Sequence, residues 1–118
     1  MFVLNQKHVI GICDLLIQRK YDLNIWAYAR VDTIGAMLPK LREAGFKWLG
    51  FGIEAGSARV RDEQDKSFTD EEIFATLQKC REHDIAVGAN YIFGLPEDDH
   101  ETMRETLKLA KELNTEWF

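Results

Sequence analysis

Three apolar runs, "LNIWAYARV", "FKWLGFGIE" and "IAVGANYIF", alternate along the chain with stretches whose apolar residues recur at helical spacing. No other feature restricts the fold so much. The first helical stretch, "NQKHVIGICDLLIQRK", places Val9, Ile12, Cys13 and Leu16 on one side, with Asn5 as its N-cap. Asp32 is positioned to cap the second, "TIGAMLPKLREAG", in which Leu38 and Leu41 face inward, Pro39 starts or kinks the regular part, and Gly45 suits the position just past the end. Thr69 and Glu72 have the spacing of a capping box for the third helix, with Ile73, Leu77 and Cys80 inward. Met103, Leu107, Ala110 and Leu113 form the stripe of the fourth. "AGSARVRDEQDKSF" reads as a longer connection before the third helix, and the terminal "EWF" as the start of another strand.

The order α-β-α-β-α-β-α predicts a parallel α/β sheet, because parallel neighbours need crossover connections and these are usually helical. The 118 residues, 46% hydrophobic and 30% charged, suit one domain over 1–118 with one modest core. Three strands make a poor complete sheet. They suit a slice of a barrel, since a full (β/α)8 barrel needs about 250 residues, while a small doubly wound domain would want more strands and helices on both faces.

The balance of 15 basic and 20 acidic residues gives a formal charge of -5, with the basic residues scattered. This disfavours nucleic acid or an anionic membrane as partner. No apolar run approaches the ~20 residues of a membrane span, and "MFVLNQKHVIG" lacks the features of a signal peptide, so the expected location is the cytoplasm. Cys13 and Cys80 are far apart at apolar helical positions and read as small buried hydrophobes. His8, His83 and His100 do not cluster, so no histidine-based metal or catalytic site is expected.

In parallel α/β folds, ligands bind where the carboxyl ends of strands feed into loops. That rule brings Arg30, Glu54 and Asn90 towards one face. Arg30 can equally be a surface residue beside Asp32, Glu54 a solvated loop acid, and Lys66 an ordinary solvated base after a run of acids. Asn90 is more informative: an amide inside an apolar strand must find hydrogen-bond partners or cost about 1–3 kcal/mol. Gly94 and Pro96 turn the chain in "NYIFGLPEDDHET", and Gly94 also allows a ligand to lie against the backbone. Glu97, Asp98 and Asp99 stand near the positive end of the last helix dipole, where acids are favoured whatever the function.

The blocks "WAYARVDT", "LREAGFKWLGFGIEAGSARVRD", "DKSFTDEEI" and "NYIFGLPEDDHETMRETLKLAKEL" resemble the radical S-adenosylmethionine superfamily. The resemblance points to the elongator and oxygen-independent coproporphyrinogen oxidase-like group, whose members often carry a separate cobalamin-binding domain. The blocks cover nearly the whole chain, and their order is more specific than any one of them. The resemblance implies a partial (β/α)6 barrel of which this chain supplies about three central strands and four helices. It also implies a parent enzyme that cleaves S-adenosylmethionine reductively at a 4Fe-4S cluster held by a C-x-x-x-C-x-x-C loop. That motif is absent from this sequence, and two isolated cysteines cannot replace it. No catalytic or metal-binding residue is therefore assigned to the chain, which reads as a fragment inactive alone.

Carried over residue by residue, the resemblance puts Glu54 at the end of the family's fourth strand and Asn90 in its fifth, both facing the cofactor's ribose. In the pattern G-x-I-x-G-x-x-E, Asn90 replaces the first glycine, while Ile92, Gly94 and Glu97 match. Ile92 would pack on adenine, Gly94 would give backbone access, and Glu97 would fix the loop. Lys66, or Arg30, would meet the cofactor's carboxylate. Two other classes stay open: a non-enzymatic α/β binding or oligomerising module, self-associating through open sheet edges, and a slice of an unrelated sugar- or phosphate-handling barrel with Glu54 as acid or base.

Overall fold

The computed structural model describes residues 5–117. Helix α1 (Gln6–Gln18) opens at Asn5, whose side chain accepts the His8 N–H at 3.0 Å, and leads to strand β1 (Ile25–Ala29). The next helical stretch is broken. A turn α2 (Val31–Ile34), a 3-10 turn over Gly35–Met37 and helix α3 (Leu38–Glu43) follow one another, and Pro39 lies in the first turn of α3, where its missing N–H costs nothing. Proline thus begins the regular helix. Asp32 lies in the first turn of α2, and Arg30 holds the N-cap position without a side-chain cap, contrary to the capping role expected for Asp32.

Strand β2 (Phe46–Glu54) has the bounds of the quoted run. The longer connection after it carries a short helix of its own, α4 (Ala58–Asp62), which buries Val60 and Arg61. Helix α5 (Asp70–Glu82) has the Thr69–Glu72 capping box, β3 (Ala86–Tyr91) follows, and α6 (His100–Leu113) is capped by Asp99. Strand β3 ends one residue before Ile92, which lies outside the sheet instead of inside the strand.

The three strands form one parallel sheet in the order β1-β2-β3. Alternation along each strand separates its faces. Ala27, Ala29, Leu49, Phe51, Ile53, Val87 and Ala89 are buried in one core with Ile34, Leu38, Leu41, Ile73, Leu77 and Leu113 from the helices. Cys13 and Cys80 are both fully buried in it, as expected, and burial pushes the Cys80 thiol up to about 12. The inward stripe of α6 differs from the expected one: Thr102, Thr106, Leu109 and Leu113 are buried, whereas Leu107 is 51% exposed.

The opposite face of the sheet is layered. Cross-strand register aligns Trp26 with Trp48 and Trp48 with Ala86, then Tyr28 with Gly50 and Gly50 with Gly88, then Gly52 with Asn90. Aromatic rings therefore occupy the amino-terminal end, glycines the middle, and polar groups the carboxyl end. The rings of Trp26 and Tyr28 meet edge to face at 4.4 Å. The "EWF" segment begins to extend the sheet as expected, since Trp117 bridges Gly88 in parallel and exchanges hydrogen bonds with Val87 and Ala89. Phe118 is outside the described residues, as are Met1 to Leu4.

The Asp99 cap makes a pH prediction. Its carboxylate accepts the N–H groups of Thr102 and Glu101, and these bonds hold its pKa below the ordinary 3.8. A depressed folded-state value contributes stability above the unfolded value, lost as pH falls through the folded one. The urea midpoint of the wild-type chain should fall more steeply than that of Asp99→Ala as pH is lowered from about 6 to about 3; equal slopes would show that the cap does not form.

Candidate functional site

Strand β2 ends in an unusual turn. The pairing with β3 shifts register between Gly52 and Glu54, the Ala55 N–H donates to the Ile53 carbonyl at 2.9 Å, and Glu54 between them has φ +68°. This three-residue turn with positive φ at its centre is rare and strained. Among the described residues the other non-glycine positive-φ positions, Lys20, Asp65, Asp84 and Asn114, follow helices, where the left-handed conformation is customary. Among the described residues only Glu54 has a positive φ within a strand, at a cost of roughly 1–3 kcal/mol.

The turn directs the Glu54 carboxylate back over the sheet. Its Oε1 lies 3.2 Å from Lys66 Nζ, in a pair whose side chains are only 17% and 12% exposed. Lys66 Nζ also donates to the Gly52 carbonyl at 3.3 Å. Asn90, the register partner of Gly52, is half-buried on that face, and its side-chain amide has no hydrogen-bond partner among the described residues. Thus Glu54, Lys66 and Asn90 meet around Gly52 at the carboxyl end of the sheet. An acceptor, a cation and an unengaged amide lie together there.

Arg30 is engaged otherwise. Its guanidinium makes a two-pronged contact with Asp32, at 3.0 and 2.8 Å, and donates to the Asp65 carbonyl at 3.3 Å. The hydrogen bonds to Asp32 raise the Arg30 pKa and lower that of Asp32. Through Asp65, Arg30 ties the exit of β1 to the loop bearing Lys66.

Beyond β3, the Ile92 N–H donates to the Glu54 carbonyl at 2.8 Å while its side chain is 45% exposed. Gly94 has φ +80° and open space where a side chain would be. The loop is fixed by Asp98 and not by Glu97: one carboxylate oxygen of Asp98 accepts the N–H groups of Gly94 and Leu95 at 2.9 and 3.0 Å, and the other accepts the Thr102 hydroxyl at 2.9 Å. Glu97 Oε2 is buried with no partner among the described residues, and the Glu97 carbonyl accepts from Arg59 at 3.0 Å. The bracing role expected for Glu97 is therefore corrected. An acid four residues beyond a loop N–H is the local signal for such a clamp, and Asp98 supplies it.

Arg61 is the other side chain that the sequence reading passed over. It is 1% exposed and donates to the carbonyls of Ala55 and Gly56 at 3.0 and 2.8 Å and to Asp70 at 2.5 Å. It thereby fixes the chain just beyond Glu54. Gly56 presses against α6, and its N–H donates to Thr106 Oγ1 at 2.8 Å.

No group of three or more potential metal ligands occurs among the described residues. None of the described helices is long and apolar enough to cross a membrane.

Comparison with known proteins gives relatives for the chain and its fold. Relatives include an uncharacterized methyltransferase of Pyrococcus horikoshii, 27% identical over 98% of this chain and 26% of its own length. An anaerobic magnesium-protoporphyrin IX monomethyl ester cyclase of Rubrivivax gelatinosus is 30% identical over 94% of this chain and 20% of its own. Among solved structures, the coproporphyrinogen III oxidase of Escherichia coli, a radical SAM enzyme, superposes with TM-score 0.79 at 28% identity, covering 95% of this chain and 27% of that one. The radical S-adenosylmethionine methyltransferase TsrM of Kitasatospora setae, solved with tryptophan and an aza analogue of S-adenosylmethionine, shares the fold with TM-score 0.82 at 18% identity, covering 97% of this chain and 24% of that one; it has also been solved with cobalamin and a 4Fe-4S cluster. The chain thus spans about a quarter of the length of these proteins. The slice-of-a-barrel reading agrees with these neighbours. The profile of the radical SAM superfamily matches residues 4–110, and the chain belongs to that superfamily.

Proposed function

We propose that this chain is the cofactor-cradling part of a radical S-adenosylmethionine enzyme. The observation that carries the proposal is the convergence of Glu54, Lys66 and the unengaged Asn90 on the side-chain-free position 52. A dipolar cofactor with a diol, a carboxylate and a flat base needs an acceptor, a cation and an apolar ledge. Glu54 and Asn90 take the ribose hydroxyls, Lys66 meets the carboxylate, and the exposed side chain of Ile92 lies under adenine. The N–H groups of Ile92 and Gly94 are already used within the protein. Gly94 therefore contributes close approach and no donor. Arg30 is held by a two-pronged contact with Asp32, whereas Lys66 keeps a third N–H beside its contacts with Glu54 and the Gly52 carbonyl, which ranks Arg30 below Lys66.

In the superfamily the cofactor supplies a 5'-deoxyadenosyl radical at a reduced 4Fe-4S cluster. Cys13 and Cys80, buried on separate helices, do not fit that cluster. No step of the cleavage is assigned to residues of this chain, whose part is to bind and orient, and alone it is expected to be inactive.

The test is an amide-shift NMR titration of the isolated chain with S-adenosylmethionine, paired with light scattering. Shifts confined to the neighbourhood of Gly52, Glu54, Asn90, Ile92 and Gly94, with millimolar affinity, are expected. Glu54→Gln should reduce that affinity about tenfold, the loss of roughly one charge-assisted hydrogen bond. Absence of shifts together with a stable oligomer would favour the second reading, an oligomerising module. The observation behind that alternative is the row of exposed rings, Trp26, Tyr28 and Trp48, beside the free edge of β1.

A further inference from the structure

We propose that Gly52 is a positioning residue of this site: its missing side chain is the seat of the Glu54 carboxylate. This deepens the cofactor-binding reading and rests on it for the ligand, although the seat itself is a property of the free protein. Two independent observations lead here. The first is the strained turn at Glu54, where φ is +68° and the pairing of β2 with β3 shifts register. Strain of this kind persists only where the surroundings hold it.

The second is the space over residue 52. A Cβ built on Gly52 would stand closer to the Glu54 carboxylate oxygen than van der Waals contact allows and 3.0 Å from Lys66 Nζ, so both side-chain ends would have to swing out of the space they now fill. Carboxylate and ammonium together fill the volume that any other residue would occupy. The Lys66 bond to the Gly52 carbonyl closes the arrangement, so the same residue offers the carbonyl that anchors the cation and the vacancy that admits the anion. Asn90 is the register partner of Gly52 across the strand pair, on the same face of the sheet. Neighbouring inner-face glycines serve differently. A Cβ at Gly50 would meet only the rings of Trp26 and Tyr28, at 3.1 Å and beyond, and one at Gly88 would meet the ring of Trp117.

The experiment measures what Gly52→Ala does with and without the Glu54 side chain. Urea midpoints are compared for wild type, G52A, E54A and the G52A/E54A double variant, and affinity for S-adenosylmethionine is read by NMR titration. G52A should lower the midpoint, and the loss should vanish in the E54A background, where no carboxylate needs the seat. G52A should also weaken the cofactor about tenfold, whereas Gly50→Ala should leave affinity unchanged. The double variant should fold as well as E54A does. An equal loss from G52A in both backgrounds, or a double variant that does not fold, would overturn the seat. Non-additive midpoints with no shift in any titration would retain the seat and reject the cofactor, so the two readings fail separately.

Discussion

Replacing Arg61 with methionine should lower the stability of the chain by about 3 kcal/mol or more, read from urea denaturation. Methionine keeps most of the packing volume but removes three bonds. The carbonyls of Ala55 and Gly56 lose their buried donor, and each unsatisfied buried group costs about 1–3 kcal/mol. Asp70 loses its partner too, but it is half-exposed and regains water, so Asp70→Asn should cost less than about 1 kcal/mol. The asymmetry between the two ends of one ion pair is the diagnostic result. A loss of less than about 1 kcal/mol for Arg61→Met would mean that the two carbonyls reach solvent unaided.

Gly56→Ala should be nearly as damaging, at about 3 kcal/mol. Its Cβ would stand 2.5 Å from the Thr106 backbone nitrogen and closer still to the Glu105 carbonyl group. Those are backbone atoms of a helix, which cannot rotate away as a side chain can. Relief requires α6 to lift from the loop after β2, breaking the Gly56 N–H bond to Thr106 and moving the "GLPEDD" turn that leads into α6. Gly11→Ala on the exposed side of α1, where a Cβ meets nothing within 4 Å, should instead stabilise by about 0.5–1 kcal/mol. Opposite signs for the two substitutions, measured in one denaturation series, are the expected result; equal small effects would show that α6 does not press on Gly56.

The strands and most caps were legible because they depend on local pattern. "FKWLGFGIE" is apolar nearly throughout, as a strand covered on one side by helices and facing a barrel interior on the other must be, and its bounds match. Thr69 and Glu72 form the expected capping box because both partners lie within one turn. Arg61 was hidden for the opposite reason. In "SARVRDEQD" it sits among charges and reads as solvated, and only the fold of the loop after β2 and the start of α5 surrounds it with acceptors.

The stripe of α6 misled for a related reason. Leu107 looks like core, yet the helix is rotated to bury Thr102 and Thr106, whose hydroxyls are satisfied by Asp99 and Asp98 and by Gly56 and the Thr102 carbonyl. Hydrophobic counting cannot see a threonine that has found all its bonds. Of the proposed site, Glu54 and Asn90 were accessible from the strand ends, and Lys66 only through the family resemblance. Their mutual arrangement was not, because it depends on a left-handed glutamate, for which the sequence carries no signal.

The alignment of Gly52 with Asn90 has one more consequence. Both strands alternate their side chains, so sliding β3 along β2 by one residue would turn Asn90 toward the helices and present Ala89 or Tyr91 to Gly52. Every core contact of β3 would invert at the same moment. The register that buries Val87 and Ala89 is therefore the same register that sets Asn90 beside Gly52, so a one-residue slip of β3 would lose its core packing and that alignment together.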